Sequence, residues 1–130
     1  MKIKVLFSLA LSTMLVLASG CRHTEDGNNT VAVPLTKDTI PSKYEKPIQP
    51  VVNATREVLQ RNGKLLIDNV VDHTFKAKVN QHTVWVKVRD LDGKITEVDV
   101  QARGAWGGDV ELAAELSKQI GMLLGVPATQ

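Results

Sequence analysis

Three stretches in the second half of the chain alternate between apolar and polar residues with period two. Phe75, Ala77 and Val79 fall on one side, and Lys76 and Lys78 on the other. Val84, Val86 and Val88 alternate with Trp85, Lys87 and Arg89; Val98, Val100 and Ala102 alternate with Glu97, Asp99, Gln101 and Arg103. Such patterning predicts antiparallel strands covered on one face only. Ahead of them, Lys64 to Val71 carries Leu65, Leu66, Ile67, Val70 and Val71 and reads as a further strand. Two other segments have helical spacing. Val51, Ala54, Thr55, Val58 and Leu59 form one stripe, with Pro50 suited to a first turn and Asn62-Gly63 to a stop. Leu112, Ala113, Leu116, Ile120, Leu123 and Leu124 form another, opened by Asp109 as N-cap and closed by Gly125 and Pro127.

Agreement between the strand faces constrains the turns. Setting Val79 opposite Val84, across a short loop at Gln81-His82, makes Lys78 face Trp85 and Lys76 face Lys87. A two-residue Asp92-Gly93 hairpin is excluded, because it would set Val88 opposite Glu97; an odd-numbered loop such as Leu91 to Gly93, with Gly93 left-handed, restores agreement. In the registers that remain, Lys87 faces Glu97 or Asp99. The expected fold class is α+β in two layers: an antiparallel four-stranded meander with an N-terminal and a C-terminal helix packed on one face. This α-β-β-β-β-α unit occupies residues 50–126, with 127–130 as a tail. A packed part of roughly 75 residues folds alone, but with little stability to spare.

The N-terminus is patterned differently. Lys2 and Lys4 precede Val5 to Leu17, a mostly apolar run of thirteen residues. That run is too short for a helix to cross roughly 30 Å of hydrocarbon, and it fits the apolar region of a secretory signal. The following Leu17-Ala18-Ser19-Gly20-Cys21 resembles a bacterial lipobox, with Leu17 one step further from the cysteine than the usual leucine. The resemblance implies that residues 1–20 are removed, that the Cys21 thiol receives a diacylglycerol, and that the new amino group is acylated. Two or three acyl chains, at about 0.8 kcal/mol per buried methylene, hold a protein on a membrane durably. Arg22 stands where Asp would mark inner-membrane retention in enteric-type Gram-negative bacteria, so the expected location is the periplasm-facing leaflet of the outer membrane. Residues 21–49, with Gly27-Asn28-Asn29 and Pro34, Pro41 and Pro47, show neither period and read as a tether. Within it, Val31 to Leu35 is apolar but is expected to stay undocked. As a coil the tether would average about 30 Å end to end.

Composition narrows the functional classes. The single cysteine excludes an internal disulfide and multi-cysteine metal sites. The formal charge of +2 includes Lys2 and Lys4; sixteen Lys and Arg less these two leaves fourteen, against fourteen Asp and Glu. With aromatics at 4%, neither a basic footprint nor a stacking surface for nucleic acid remains.

Gly104-Ala105-Trp106-Gly107-Gly108 joins a strand to a helix, where phosphate-cradling loops occur, but it matches neither nucleotide fingerprint, and Asp109 already holds the helix end. His73 and His82 lie at opposite ends of one hairpin, roughly 30 Å apart at about 3.3 Å per residue, and read with His23 as solvated side chains. Asp90 and Asp92 offer too few ligands for a calcium loop. Ser19 leaves with the signal, Cys21 is the acylation site, and Ser117 has no base in view. The chain is therefore expected to have no catalysis of its own and to need no cofactor or metal. The open sheet face is the better candidate: Trp85 with Lys78, Lys87 and Arg89 would suit an envelope protein, peptidoglycan or a lipid headgroup. The competing structural reading is a solvated face knit by cross-strand charge pairs, with Trp85 under a lysine stem. Trp106 is open between a core plug and an exposed anchor.

The segment Glu97 to Asp109, a strand ending in Arg103, a glycine-bearing loop and an acidic helix cap, resembles a family of small Gram-negative bacterial lipoproteins of uncharacterised function. The resemblance implies this fold and an envelope location, and it brings no known activity. The expected function is a lipid-anchored interaction or structural module of the envelope. The alternative is a small-ligand carrier, or an accessory subunit of an envelope enzyme, holding its ligand between helices and sheet.

Overall fold

The computed structural model describes residues 38–130. The signal segment 1–20, the acylation site Cys21, the tether up to residue 37 and the Val31–Leu35 tract lie outside the described residues.

The elements run β1 (Thr39–Tyr44), α1 (Ile48–Asn62), β2 (Lys64–Asn69), β3 (Thr74–Val79), β4 (His82–Asp90), β5 (Thr96–Gly104), the two-residue β6 (Gly107–Gly108) and α2 (Val110–Leu124). The sheet order is β1-β5-β4-β3-β2, all neighbours antiparallel, with β6 pairing the end of β5. Both helices lie on one face: α1 against β2, β3 and β4, α2 against β5 and β1, and each against the other. The expected two-layer α+β architecture holds, with one strand more in the main sheet.

The extra strand corrects the tether's extent. Residues 39–44 pair with β5 as an edge strand, and helix α1 opens at Ile48 rather than Pro50. The sequence hides β1 because its inward positions are Ile40, Ser42 and Tyr44, and Pro41 reads as a breaker. At an edge Pro41 does no harm. Lys43 exchanges backbone hydrogen bonds of 2.7 and 3.0 Å with Thr129 across the outer edge. Alternation sends the nitrogen of Pro41 to that same edge, where no bond to β5 is lost. The 127–130 tail is thus not loose at Thr129; it protects the edge. Pro50 sits in the first turn of α1, where its missing N–H has no intrahelical acceptor to lose.

The β3–β4 register differs from expectation by one pair on each face. Val79 faces His82, Ala77 faces Val84, Lys76 faces Trp85 and Thr74 faces Lys87. Asn80, at φ 53°, takes the left-handed position of a two-residue Asn80-Gln81 turn. Face agreement cannot separate registers that differ by two residues, so the inward set was legible and the pairing was not. The β4–β5 connection is odd-numbered as expected, but it runs from Leu91 to Ile95, two residues longer than Leu91 to Gly93, with Gly93 at φ 82° and Val88 opposite Val98.

The inner face is filled. Tyr44, Val51, Val58, Leu59, Phe75, Val84, Val86, Val98, Val100, Leu116 and Ile120 are all at most 1% exposed. A bulge between Leu65 and Ile67 turns Asp68 inward, opposite Phe75. There Arg56 of α1 grips it through Nε at 2.5 Å and a terminal nitrogen at 3.3 Å, its guanidinium 5.7 Å from the Phe75 ring centre. Asp109 caps α2 as expected, Oδ1 accepting from the Leu112 N–H at 2.9 Å. Gly125 closes it at φ 68°, donating to Met122 while Val126 donates to Gly121.

Candidate functional site

Trp85, Lys78, Lys87 and Arg89 all lie on the sheet face opposite the helices, but the register sorts them into two groups. Toward β5 the cations meet carboxylates. Lys87 faces Asp99, and Arg89 faces Glu97 while also bonding Asp99 at 2.9 Å. Burial pushes the Asp99 carboxyl above the ordinary range, the Arg89 and Lys87 charges pull it back, and Glu97 adds to the rise.

Toward β2 the pattern inverts. Lys64 stands directly opposite Lys78, which in turn faces Thr83, and Lys76 lies between Ile67 and Trp85. Lys64, Lys76 and Lys78 make no ion pair among the described residues. The Lys76 ammonium sits over the Trp85 ring, 5.8 Å from its centre. Trp85 is half-buried. Its neighbour Gln101, expected to point to solvent, is fully buried on this face between Trp85 and Thr39. The bulge in β2 brings Leu66 and Ile67 to the surface, extending the basic corner with apolar area.

The glycine loop forms a second constellation. β5 turns into β6 through Ala105-Trp106, and Trp106 is fully exposed, which settles it as no core plug. Gly107 takes φ 124°, reserved for glycine. A Cβ on Gly104 would come within 2.8 Å of the His82 ring. His82 is therefore not the solvated side chain expected; half-buried, it holds Nε2 3.3 Å from Oδ2 of Asp109. Asp109 thus spends one oxygen on the helix end and the other on His82, which leaves that end unsuited to an anion. Nearby, Arg103 lies 3.5 Å from Asp38, whose carboxylate packs where Gly108 lacks a side chain. His73 sits at the opposite end of the sheet in the β2–β3 turn, at φ 52°. Neither contact was legible, since each joins residues brought together only by the β1 edge or the β5–α2 connection.

A surface groove of about 470 Å³ runs between β1, α2 and the tail, lined by Ile40, Ser42, Ser117, Gly121 and Val126 among others. Among the described residues no three His, Cys, Asp or Glu side chains gather to hold a metal ion, and no helix is long and apolar enough to cross a membrane.

These features define a small two-layer α+β domain with one sheet face spent on packing and the other open. The chain belongs to the family described as "Protein of unknown function (DUF3568)", which it matches over residues 4–122. The match takes in the N-terminal apolar segment and Cys21 as well as most of the described fold. No curated protein matches the chain.

Proposed function

We propose that this protein is a lipid-anchored interaction module of the Gram-negative envelope. Cys21 carries the acyl chains, Arg22 directs it to the outer membrane, and the open sheet face receives a partner. The observation that carries the reading is the segregation of charge on that face. Arg89 and Lys87 are balanced by Glu97 and Asp99, whereas Lys64 and Lys78 oppose one another beside Trp85 and Ile67. Like charges placed directly across two strands destabilise a sheet, so such a pair is a cost to the fold alone and an asset to binding. The partner this corner suits is an envelope protein or peptidoglycan presenting carboxylates around an apolar contact.

The filled inner face supports this reading over a carrier with its ligand between helices and sheet. A small ligand would have to use the surface groove beside α2 instead. Capture from crosslinked envelopes, with mass spectrometry of partners and of the Cys21 peptide, tests the proposal. The expected result is a diacylated Cys21 peptide and a reproducible partner that Lys78→Glu loses without a fall in melting temperature. An unmodified Cys21, or capture indifferent to Lys78→Glu, would overturn the corresponding half.

A further inference from the structure

The chain enters the domain at Asp38, and Asp38 abuts the β5–β6 hairpin: its carboxylate packs on Gly108 and lies 3.5 Å from Arg103. The tip of that hairpin is Trp106, fully exposed, with the exposed Ala105 beside it and the exposed Val110 at the start of α2. A large indole held out by two glycines and touching no core residue does nothing for the fold. Its ring is apolar with one N–H donor, the chemistry that concentrates tryptophan at the boundary between water and lipid. Because Asp38 lies beside this hairpin, the chain from Cys21 joins the domain at the end that carries Trp106, and the seventeen residues 21–37, which can extend at most about 60 Å, reach a bilayer from there.

From this placement, and resting on the lipid-anchor reading above, we infer that the Trp106 hairpin is a second, reversible membrane contact that inserts its indole into the headgroup region of the bilayer holding Cys21. One exposed tryptophan is too little to bind a membrane alone. The anchor supplies the local concentration, as any tether does for a weak second contact. Insertion stands the strands on end, hairpin down, and turns the open face with Trp85 sideways, clear of the lipid. At the tip itself Arg103 lies against Asp38 and His82 against Asp109, and Glu111 is acidic and exposed; Lys78 and Lys64 stand two and three strands away along the same end of the sheet, where they face the headgroups without entering them.

The test couples the chain from Cys21 onward, which retains every described element, through the Cys21 thiol to a maleimide-headgroup lipid in phosphatidylcholine vesicles. Trp85→Phe leaves Trp106 as the only indole. The expected result is a blue-shifted Trp106 emission, quenched by acyl chains brominated near the headgroup and less by chains brominated at their ends. Should Trp85→Phe not fold, the difference between the unsubstituted chain and Trp106→Ala isolates the same signal; Trp106→Ala is expected to melt with the parent. Emission that stays at its free-solution wavelength and escapes the brominated lipid overturns the inference. Because the coupling is chemical, that result is independent of whether Cys21 is acylated in cells, which the Cys21 peptide mass decides separately.

Discussion

Tyr44 is the chain's single tyrosine, fully buried at the end of β1, with its hydroxyl donating to the Ser117 carbonyl of α2 at 2.6 Å. Burial pushes its pKa from 10.0 up to about 12. The native state therefore holds this proton more tightly than the unfolded chain does. The associated stability is present in full below pH 10 and is lost between about pH 10 and 12. At about 1.4 kcal/mol per pH unit, the loss amounts to roughly 3 kcal/mol. Tyr44→Phe deletes the hydrogen bond, at about 1 kcal/mol, and with it the linkage. At neutral pH the variant should be the less stable chain. Near pH 11 the two should be equal, and by pH 12 the order should be reversed, by about 1 kcal/mol. Lysine titration is common to both chains and cancels in the difference. Urea unfolding across this range measures the crossover, and tyrosinate absorbance reports the one phenol directly, folded and in denaturant. A native midpoint near 10, or a Tyr44→Phe chain that remains the weaker at pH 12, would refute the burial account.

Two further substitutions separate steric from conformational uses of glycine and bear on the basic corner. A Cβ on Gly63 would lie 2.0 Å from the Lys78 carbonyl oxygen, a backbone atom, so Gly63→Ala should cost about 2–3 kcal/mol in urea unfolding, as overpacked positions do. Gly93 has open space around it and a φ of 82°, so Gly93→Ala should cost only about 1 kcal/mol, from strain alone. Lys64→Glu replaces a like-charged pair with an opposite one, and should stabilise the sheet by roughly 0.5 kcal/mol while weakening partner capture. A variant that gains stability and keeps its partner would remove the charge-segregation basis for the binding face.

What the sequence revealed and what it concealed follow from how each element is encoded. β3, β4 and β5 carry Phe75 and otherwise valines or alanines along the middle of their inward faces, and α2 has a cap, a stripe and a glycine stop, so their faces and ends were legible. β1 was not, because Ser42 occupies an inward slot and Pro41 is compatible with a strand only at an edge, which is a property of its neighbours. β2 misleads in the opposite way: its run of Leu65, Leu66 and Ile67 suggests burial, but the bulge turns two of them outward and aims Asp68 at Arg56. Gln101 reads as a solvent position by alternation and is covered by its own row. Each failure comes from an edge, a bulge or a neighbouring side chain, none of which has a period.

The same distinction explains why the candidate site was only half visible. Alternation placed Trp85, Lys78, Lys87 and Arg89 on one face, but it assigns no value to a charge until its cross-strand partner is known. Pairing with β5 neutralises Arg89 and Lys87; pairing with β2 leaves Lys78 against Lys64. The binding surface therefore has its centre nearer β3 than β5, with Trp85 at its inner margin and Ile67 at its outer one. Both edges of the sheet are shielded by different means, β1 by Pro41 and the tail, β2 by its bulge. A partner that adds a strand is accordingly disfavoured at either edge. Recognition through side chains on the flat of the sheet is the mode left, and it is the mode for which the unpaired lysines and the half-covered indole are placed.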